Sequence, residues 1–313
     1  MSIDRISTNS TAQAMLARVN EASAALTKTQ DQVSSGKIAN NFAGYGDKAS
    51  VLEGARAAQA RTDSYQANTK MALNQADLQN TQLGSLASLA DQLRQAMTKS
   101  VADGDASTLM SEAQSIFDQA SQILNSKDAN GNYMYGGDKD NVAPFTPTSL
   151  TQLAGLGSAS QGFVNGTQKK SIMVGDGENV QVGVLASDVG TNLMQTLKDI
   201  ANFDAGGTGN FSGSTTITTA QSDFLSSTLP QVIGAATSLN TDTATNAYVY
   251  NRLQDAVDRQ GSLSTMYKGF VGNLESVDMG EAITRLNQNQ VALQAALQVA
   301  SQLNKLSLLN FMN

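Results

Sequence analysis

Three short stretches bring together residue types that could do chemistry. Asp103 and Asp105 flank Gly104 as a carboxylate pair, the arrangement that glycoside cleavage uses. Ser171 follows Lys169 and Lys170, the residue types of a Ser-Lys nucleophile. Gly175-Asp176-Gly177 has the composition of a loop that cradles phosphate or calcium. Each falls short of its chemistry. Asp103-Gly104-Asp105 reads as a surface turn. Nothing in the sequence buries a lysine beside Ser171 to lower its pKa. A phosphate loop needs a Lys-Ser/Thr and a following helix, and a calcium loop needs spaced carboxylates, so Gly175-Asp176-Gly177 is expected to be a hairpin turn. The chain has no Cys, no His and no Trp. That composition excludes a Ser-His-Asp triad, a thiolate nucleophile and the usual nitrogen or sulfur zinc site. The expectation is a protein that is not an enzyme, with no catalytic residue, no cofactor and no metal.

The elements around these stretches belong to a helical protein. The 40% hydrophobic share leans on Ala, with 5% aromatics and 3 Pro among 313 residues, and long helices with narrow apolar seams need less apolar volume than a large globule. The formal charge of -7 argues against nucleic acid. Met1-Ser2-Ile3-Asp4-Arg5-Ile6 lacks the basic-then-apolar order of a cleaved signal peptide, and no run of about 18 apolar residues offers a membrane span. Composition alone would leave the protein in the cytoplasm.

The fold class expected is mainly α with a small inserted β-containing domain, the N- and C-terminal helices pairing as an antiparallel coiled coil or bundle. Residues 1–45 form an N-terminal assembly helix, whose seam steps through Leu16, Val19, Leu26 and Val33 and ends at Ser34-Ser35-Gly36. Residues 46–137 form the first part of a helical core. Clear patterns there run through Leu86, Leu89, Leu93 and Met97, then through Leu109, Ala113, Ile116, Ala120 and Ile123. Ala129-Asn130-Gly131-Asn132 is a turn. Residues 138–218 are rich in Gly, Thr and Val, with strands at Lys170–Val174 and Val180–Val184 and a short helix through Leu193, Leu197 and Ile200. Residues 219–278 return to helical spacing at Leu225, Leu229, Val232, Ala236 and Leu239, then from Leu253 through Val257, Gln260 and Ser264 to Leu274. Residues 279–313 form a C-terminal assembly helix whose seam holds Leu293, Leu297, Val299, Leu303 and Leu306.

That last helix carries the strongest physical clue. From Ile283 to Asn313 its only charged side chains are Arg285 and Lys305. A solvated helix carries charges on its outer face, whereas amides there let it pack on several sides without burying unpaired charge. The helix is therefore expected to be surrounded by neighbours in an assembly, and both termini are expected to order when subunits associate. The apolar end, Leu308, Leu309, Phe311 and Met312, would need shielding before assembly.

Several of these segments resemble the flagellin family. Ile3-Asp4-Arg5-Ile6-Ser7-Thr8-Asn9 resembles its opening, Gln32-Val33-Ser34-Ser35-Gly36-Lys37 the motif that ends its first helix, and Gln302 to Phe311 its C-terminus. Gly131-Asn132-Tyr133-Met134-Tyr135-Gly136-Gly137 and Ala143-Pro144-Phe145 are similar to the hook-filament junction branch. After Lys37 the chain departs from the family: Ile38 and Asn40–Asp47 stand where a Lys-Arg and Asp-Asp cluster is common. The resemblance implies an extracellular part of the bacterial flagellum, exported unfolded by the type III apparatus without a cleaved signal. It implies a tubular or ring homo-oligomer, contacts with the first hook-associated protein and with flagellin, and an export chaperone on the tail at Leu308, Leu309, Phe311 and Met312. Neither nucleic acid nor membrane is an expected partner. The alternative within the family is a filament-forming flagellin. A carbohydrate-binding or carbohydrate-cleaving surface protein that uses the β-rich insert is a third reading, set against the absence of Trp and the few clustered aromatics.

Overall fold

The computed structural model describes residues 2–207, 209–211 and 215–312, with side chains described within residues 10–11 and 13–302. It is 74% helical with one small antiparallel sheet, and its N- and C-terminal helices pack together. The long helices are α1 (Ser2–Ser35), α2 (Ala49–Asp103) and α3 (Leu109–Leu124). A short α4 (Leu150–Ala154) and the strands β1 (Ser171–Gly175) and β2 (Glu178–Gln181) follow. Then come α5 (Ala186–Ala205), α6 (Thr219–Glu275) and α7 (Met279–Met312). Contacts divide the chain into two compact units, Thr62–Ser262 and the combination of Met1–Arg61 with Leu263–Asn313.

In the unit 62–262 most of the helical periodicities converge on one large core. Leu86, Leu93, Phe117, Leu197 and Leu239 are all buried in it. The stretch expected as an insertion contributes to the same core, through Phe145, Leu150, Leu193 and Ile200. Gly104 ends α2 at φ 68°, a left-handed position where a β-carbon is strained. Asn125 closes α3 by bracketing Phe145: its amide nitrogen donates to the Phe145 carbonyl at 2.8 Å, and its oxygen accepts the Phe145 N–H at 3.0 Å. Phe145 then lies 4.9 Å from Phe163 and 6.0 Å from Phe117, ring centre to ring centre, distances at which tilted aromatic pairs attract.

The expected hairpin forms, with Ile172 opposite Val180 and Gly175 opposite Glu178. Asp176-Gly177 makes the turn, with Gly177 at φ 73°. The second strand begins earlier than expected, because pairing extends to the turn, and Val182–Val184 lie beyond it. The hairpin packs on Ala72 and Ala76 of α2 and on Leu253 and Ala256 of α6. Gln260, which interrupts the apolar series of α6, is buried and donates to the Val174 carbonyl at 2.7 Å. Leaving that carbonyl unpaired would cost on the order of 1–3 kcal/mol.

In the other unit α1 and α7 pack against each other and run antiparallel. The departure after Lys37 has its own local logic. Asn41 accepts the Gly44 N–H at 3.0 Å, capping a 3-10 helix at Phe42–Lys48. Tyr45 from that turn is buried with Leu52, Ala55 and Val271, and its hydroxyl donates to the Ala39 carbonyl at 2.8 Å. Among the described residues, no helix is long and apolar enough to cross a membrane.

Candidate functional site

The stretches that invited a catalytic reading have ordinary structural roles. Lys99 donates to Asp103 at 2.7 Å one turn along α2. Asp105 accepts the Ser107 N–H at 2.8 Å, a bond that holds its carboxyl below the usual range. Lys169 pairs with Asp188 at 3.0 Å and Lys170 with Asp140 at 2.5 Å, and Ser171 begins β1. Asp176 in the hairpin turn accepts the Tyr65 hydroxyl at 2.9 Å, and Glu178 pairs with Arg259 at 2.5 Å. These contacts anchor a hairpin. Among the described residues no cluster of three acidic side chains could hold a metal.

The surface that could carry a function lies on the paired terminal helices. On α7 the residues at least partly buried are Ala282, Leu286, Asn289, Leu293, Ala296 and Ala300, in alternating steps of four and three, the spacing of a helix-pair seam. On α1 the matching face holds Met15, Val19, Ala22, Leu26, Thr29 and Val33. A polar contact sits inside this seam. Asn289 donates to the Ala25 carbonyl at 3.2 Å and to the Thr29 hydroxyl at 3.3 Å. A polar pair in an apolar seam fixes register, since sliding by one turn would leave the amide unpaired.

The residues expected to form the assembly seam therefore divide. Val19, Leu26, Val33 and Leu293 face the partner helix of the same chain. Leu16 is 62% exposed, Leu297 51% and Val299 46%, so they face away from that pairing. Val291 and Ile283 are exposed too. Val291 and Leu297 are six residues apart, on different sides of a helix that turns every 3.6 residues. Apolar groups thus surround α7, and its polar groups are mostly amides and hydroxyls. The side chains of Leu303, Leu306, Leu308, Leu309, Phe311 and Met312 lie outside the described residues.

What joins the two terminal helices to the rest of their unit is a polar junction that no local pattern announces. Gly36, at φ 67°, ends α1 with its N–H on the Gln32 carbonyl at 2.9 Å. Its own carbonyl accepts the Val277 N–H at 3.0 Å, and the Ile38 N–H donates to the Glu275 carbonyl at 2.8 Å. Lys37 and Ser276 thus form a one-pair antiparallel bridge between the exit of α1 and the entry of α7. Gln32 is buried and donates to the Ile38 carbonyl at 2.7 Å. The Glu275 side chain, only 10% exposed, receives Lys37 at 2.8 Å and the Arg56 Nε at 2.6 Å. Arg56 also lies 5.1 Å over the Phe42 ring. Burial pushes the Glu275 carboxyl up, but the hydrogen bonds and charges of Lys37 and Arg56 outweigh it and hold the group below its ordinary value. The motif Ser34-Ser35-Gly36-Lys37 is thus a helix stop and one half of this junction. Sequence reasoning missed Arg56 and Glu275 because they are 219 residues apart.

The aromatic-Gly-Gly stretch is also explained by packing. Tyr135 is fully buried and donates to Gln82 Oε1 at 2.9 Å, and its carbonyl accepts the Ala186 N–H at 3.0 Å. Gly137 sits at φ 65°, where a β-carbon would lie 2.6 Å from Leu185 Cδ2 and 2.7 Å from the Gln168 carbonyl oxygen.

The N-terminal helical region of bacterial flagellin matches residues 6–140, and the C-terminal helical region of bacterial flagellin matches residues 230–312. Among solved structures, the chain is similar to a protein assigned as flagellar hook-associated from Vibrio parahaemolyticus. That likeness has a TM-score of 0.59 at 14% identity, covering 73% of this chain and 97% of the other. It is similar also to FlgL of Bacillus cereus, with a TM-score of 0.52 at 15% identity, covering 70% of this chain and 98% of that one. No curated protein matches the sequence.

The Glu275 junction generates a pH dependence with a definite sign. A carboxylate whose folded-state pKa is depressed contributes stability that is fully present above the unfolded value and is lost as pH falls through the folded one. The melting temperature should therefore fall as pH is lowered below about 4.5, the ordinary value for the group. Glu275→Gln should cost about 1–2 kcal/mol at neutral pH, since its cations are half exposed, and should flatten part of the acid limb in circular-dichroism melts. An unchanged acid limb would show that the junction contributes nothing.

Proposed function

Because the chain belongs to the flagellin family and is a structural component of the flagellum, we propose that it is the adaptor joining the hook-associated proteins to the flagellin filament, built by packing of its terminal helices. The observation that carries the assembly is the surface of α7. It pairs with α1 on one side, exposes Val291, Leu297 and Val299 on others, and offers almost no charge to desolvate. Burying each such side chain against a neighbouring copy would contribute about 1.5–3 kcal/mol, and the amides between them can bond across a subunit contact. In this reading the seam extends through Leu303 and Leu306, and the paired helices form a coiled coil lining a tube.

The junction position is supported by the Tyr133–Gly137 and Pro144-Phe145 stretches, by the departure after Lys37, and by the fold shared with two proteins that carry hook-associated or FlgL names. The partners are then further copies of the chain, the first hook-associated protein and flagellin, reached by type III export. A second reading, a filament-forming flagellin, is favoured by the match of both flagellin helical regions. In either reading the protein is structural and catalyses no reaction.

Immunogold labelling of intact flagella separates the two. A band confined to the hook-filament boundary is the expected result, and label along the whole filament would make the chain a flagellin. Leu297→Asp is expected to leave the monomer's melting temperature unchanged while abolishing assembly. In the assembled state it would bury an unpaired charge at a cost on the order of 3 kcal/mol or more. An earlier monomer melt would instead make Leu297 part of the folded core. The apolar tail is the proposed chaperone site, and deleting Leu308–Asn313 should weaken chaperone binding in calorimetry; equal affinity without the tail would place the site elsewhere.

A further inference from the structure

The unit 62–262 has two surfaces that the terminal helices do not account for. The first is a groove of about 820 Å³ between α2, the turn at Asp128–Asn130 and the outer face of β1. Met71, Leu78 and Met173 line it and are 63%, 44% and 47% exposed. Flexible thioether side chains suit a surface that adapts to another protein. At the groove's margin Asp128 Oδ1 accepts the Asn130 and Asn132 N–H groups, both at 2.9 Å, which fixes the carboxylate there. Lys170, also at the margin, is already paired with Asp140.

The second surface is a ridge on α6. From Phe224 to Asn251 its only charged residue is Asp242, which is partly buried. Ile233, Thr237, Thr241 and Thr245 follow one another at steps of four and all are exposed. Each threonine hydroxyl donates to the carbonyl four residues earlier, at 2.8, 3.0 and 2.9 Å. The hydroxyls are therefore satisfied within the helix, and covering this face leaves none of them stranded. A row at steps of four is the ridge that helices seat into grooves. Tyr248 continues this face, 64% exposed, and Arg252 follows one turn later, exposed and without an ion pair among the described residues.

We propose that the charge-free ridge of α6 in one copy seats in the α2–β1 groove of the next, with Arg252 at its end meeting Asp128. A single chain does not fill its own groove this way, since no ridge residue lines it. The occupant is a second copy because the two faces match in chemistry: each mixes apolar side chains with uncharged polar ones, the groove's charged residues being Asp128 and the paired Lys170, and the ridge ends in an exposed cation where the groove presents a fixed carboxylate. The two patches differ, so the contact is head-to-tail and repeats, generating a ring or a helix. The inference rests on the reading that the chain assembles with itself, and it adds a contact independent of α1 and α7.

The chain has no cysteine, which makes the test clean. Met71→Cys and Thr241→Cys variants, one carrying a size tag, would be mixed, assembled and oxidised. The expected product is a covalent dimer containing one chain of each kind. Thr241→Lys should raise the concentration needed for assembly at least tenfold with an unchanged melting temperature. If particles form but no mixed dimer appears, or if Thr241→Lys assembles like the native chain, the groove takes another occupant and the proposal is overturned while self-assembly stands. Linking of Met71→Cys chains only to each other would mean a symmetric contact, and would equally overturn it. Sedimentation showing no assembly at any concentration would remove both this contact and the reading beneath it.

Discussion

The first and last helices of this chain are joined by a short antiparallel exchange in which the Gly36 carbonyl takes the Val277 N–H and the Glu275 carbonyl takes the Ile38 N–H. Everything proposed for the terminal helices depends on it. It sets the exit of α1 beside the entry of α7, so that the seam from Val33 to Leu293 closes in one register and Asn289 reaches Ala25 and Thr29. Two backbone bonds would be a weak joint by themselves. The Glu275 carboxylate strengthens it because its two cations come from different elements, Lys37 beyond α1 and Arg56 within α2. A buried carboxylate is tolerable only with such compensation, and removing either partner would leave part of its desolvation cost unmet.

A second constraint runs through both units: the molecule places amides and hydroxyls where an ordinary solvated helix has charges. On α7 this leaves a helix that can be enclosed. In the unit 62–262 the same substitution appears on α6, where threonine hydroxyls turn back onto their own helix. Buried amides inside the chain follow the same rule, with Gln260 on the Val174 carbonyl and Asn246 on the Ala76 carbonyl. Each satisfies a backbone group without introducing a charge that would need a partner. In the proposed assembly such surfaces would be an advantage, since association strips water from every group at the contact.

The motifs that carry the family resemblance have separate physical jobs. Tyr135 and Gly137 lock the turn region to Gln82, Ala186 and Gln168, and Phe145 completes an aromatic cluster with Phe117 and Phe163. These are packing requirements of the unit 62–262. The departure after Lys37 is similarly local: Asn41 caps a 3-10 turn whose Tyr45 fills the space beside Leu52 and Val271.

The sequence by itself determined the helices and their limits. Steps of three and four, a glycine after Ser35 and another after Asp103, and an Asp-Gly between two β-branched runs are local signals, and local backbone preference acts on them directly. It also determined the chemistry the protein lacks residues for, through the absence of His and Cys. Side-chain direction was less legible. Leu16, Leu297 and Val299 fit a helical spacing as well as Val19 and Leu293 do, but a stripe several residues wide does not say which of its edges meets the partner helix. Only the tertiary structure decided that, together with the pairing of Lys37 and Arg56 with Glu275 and the bracketing of Phe145 by Asn125. The physical reason is distance along the chain: periodicity reports what a residue does within its own helix, whereas a long-range ion pair depends on which helices the folded core brings side by side.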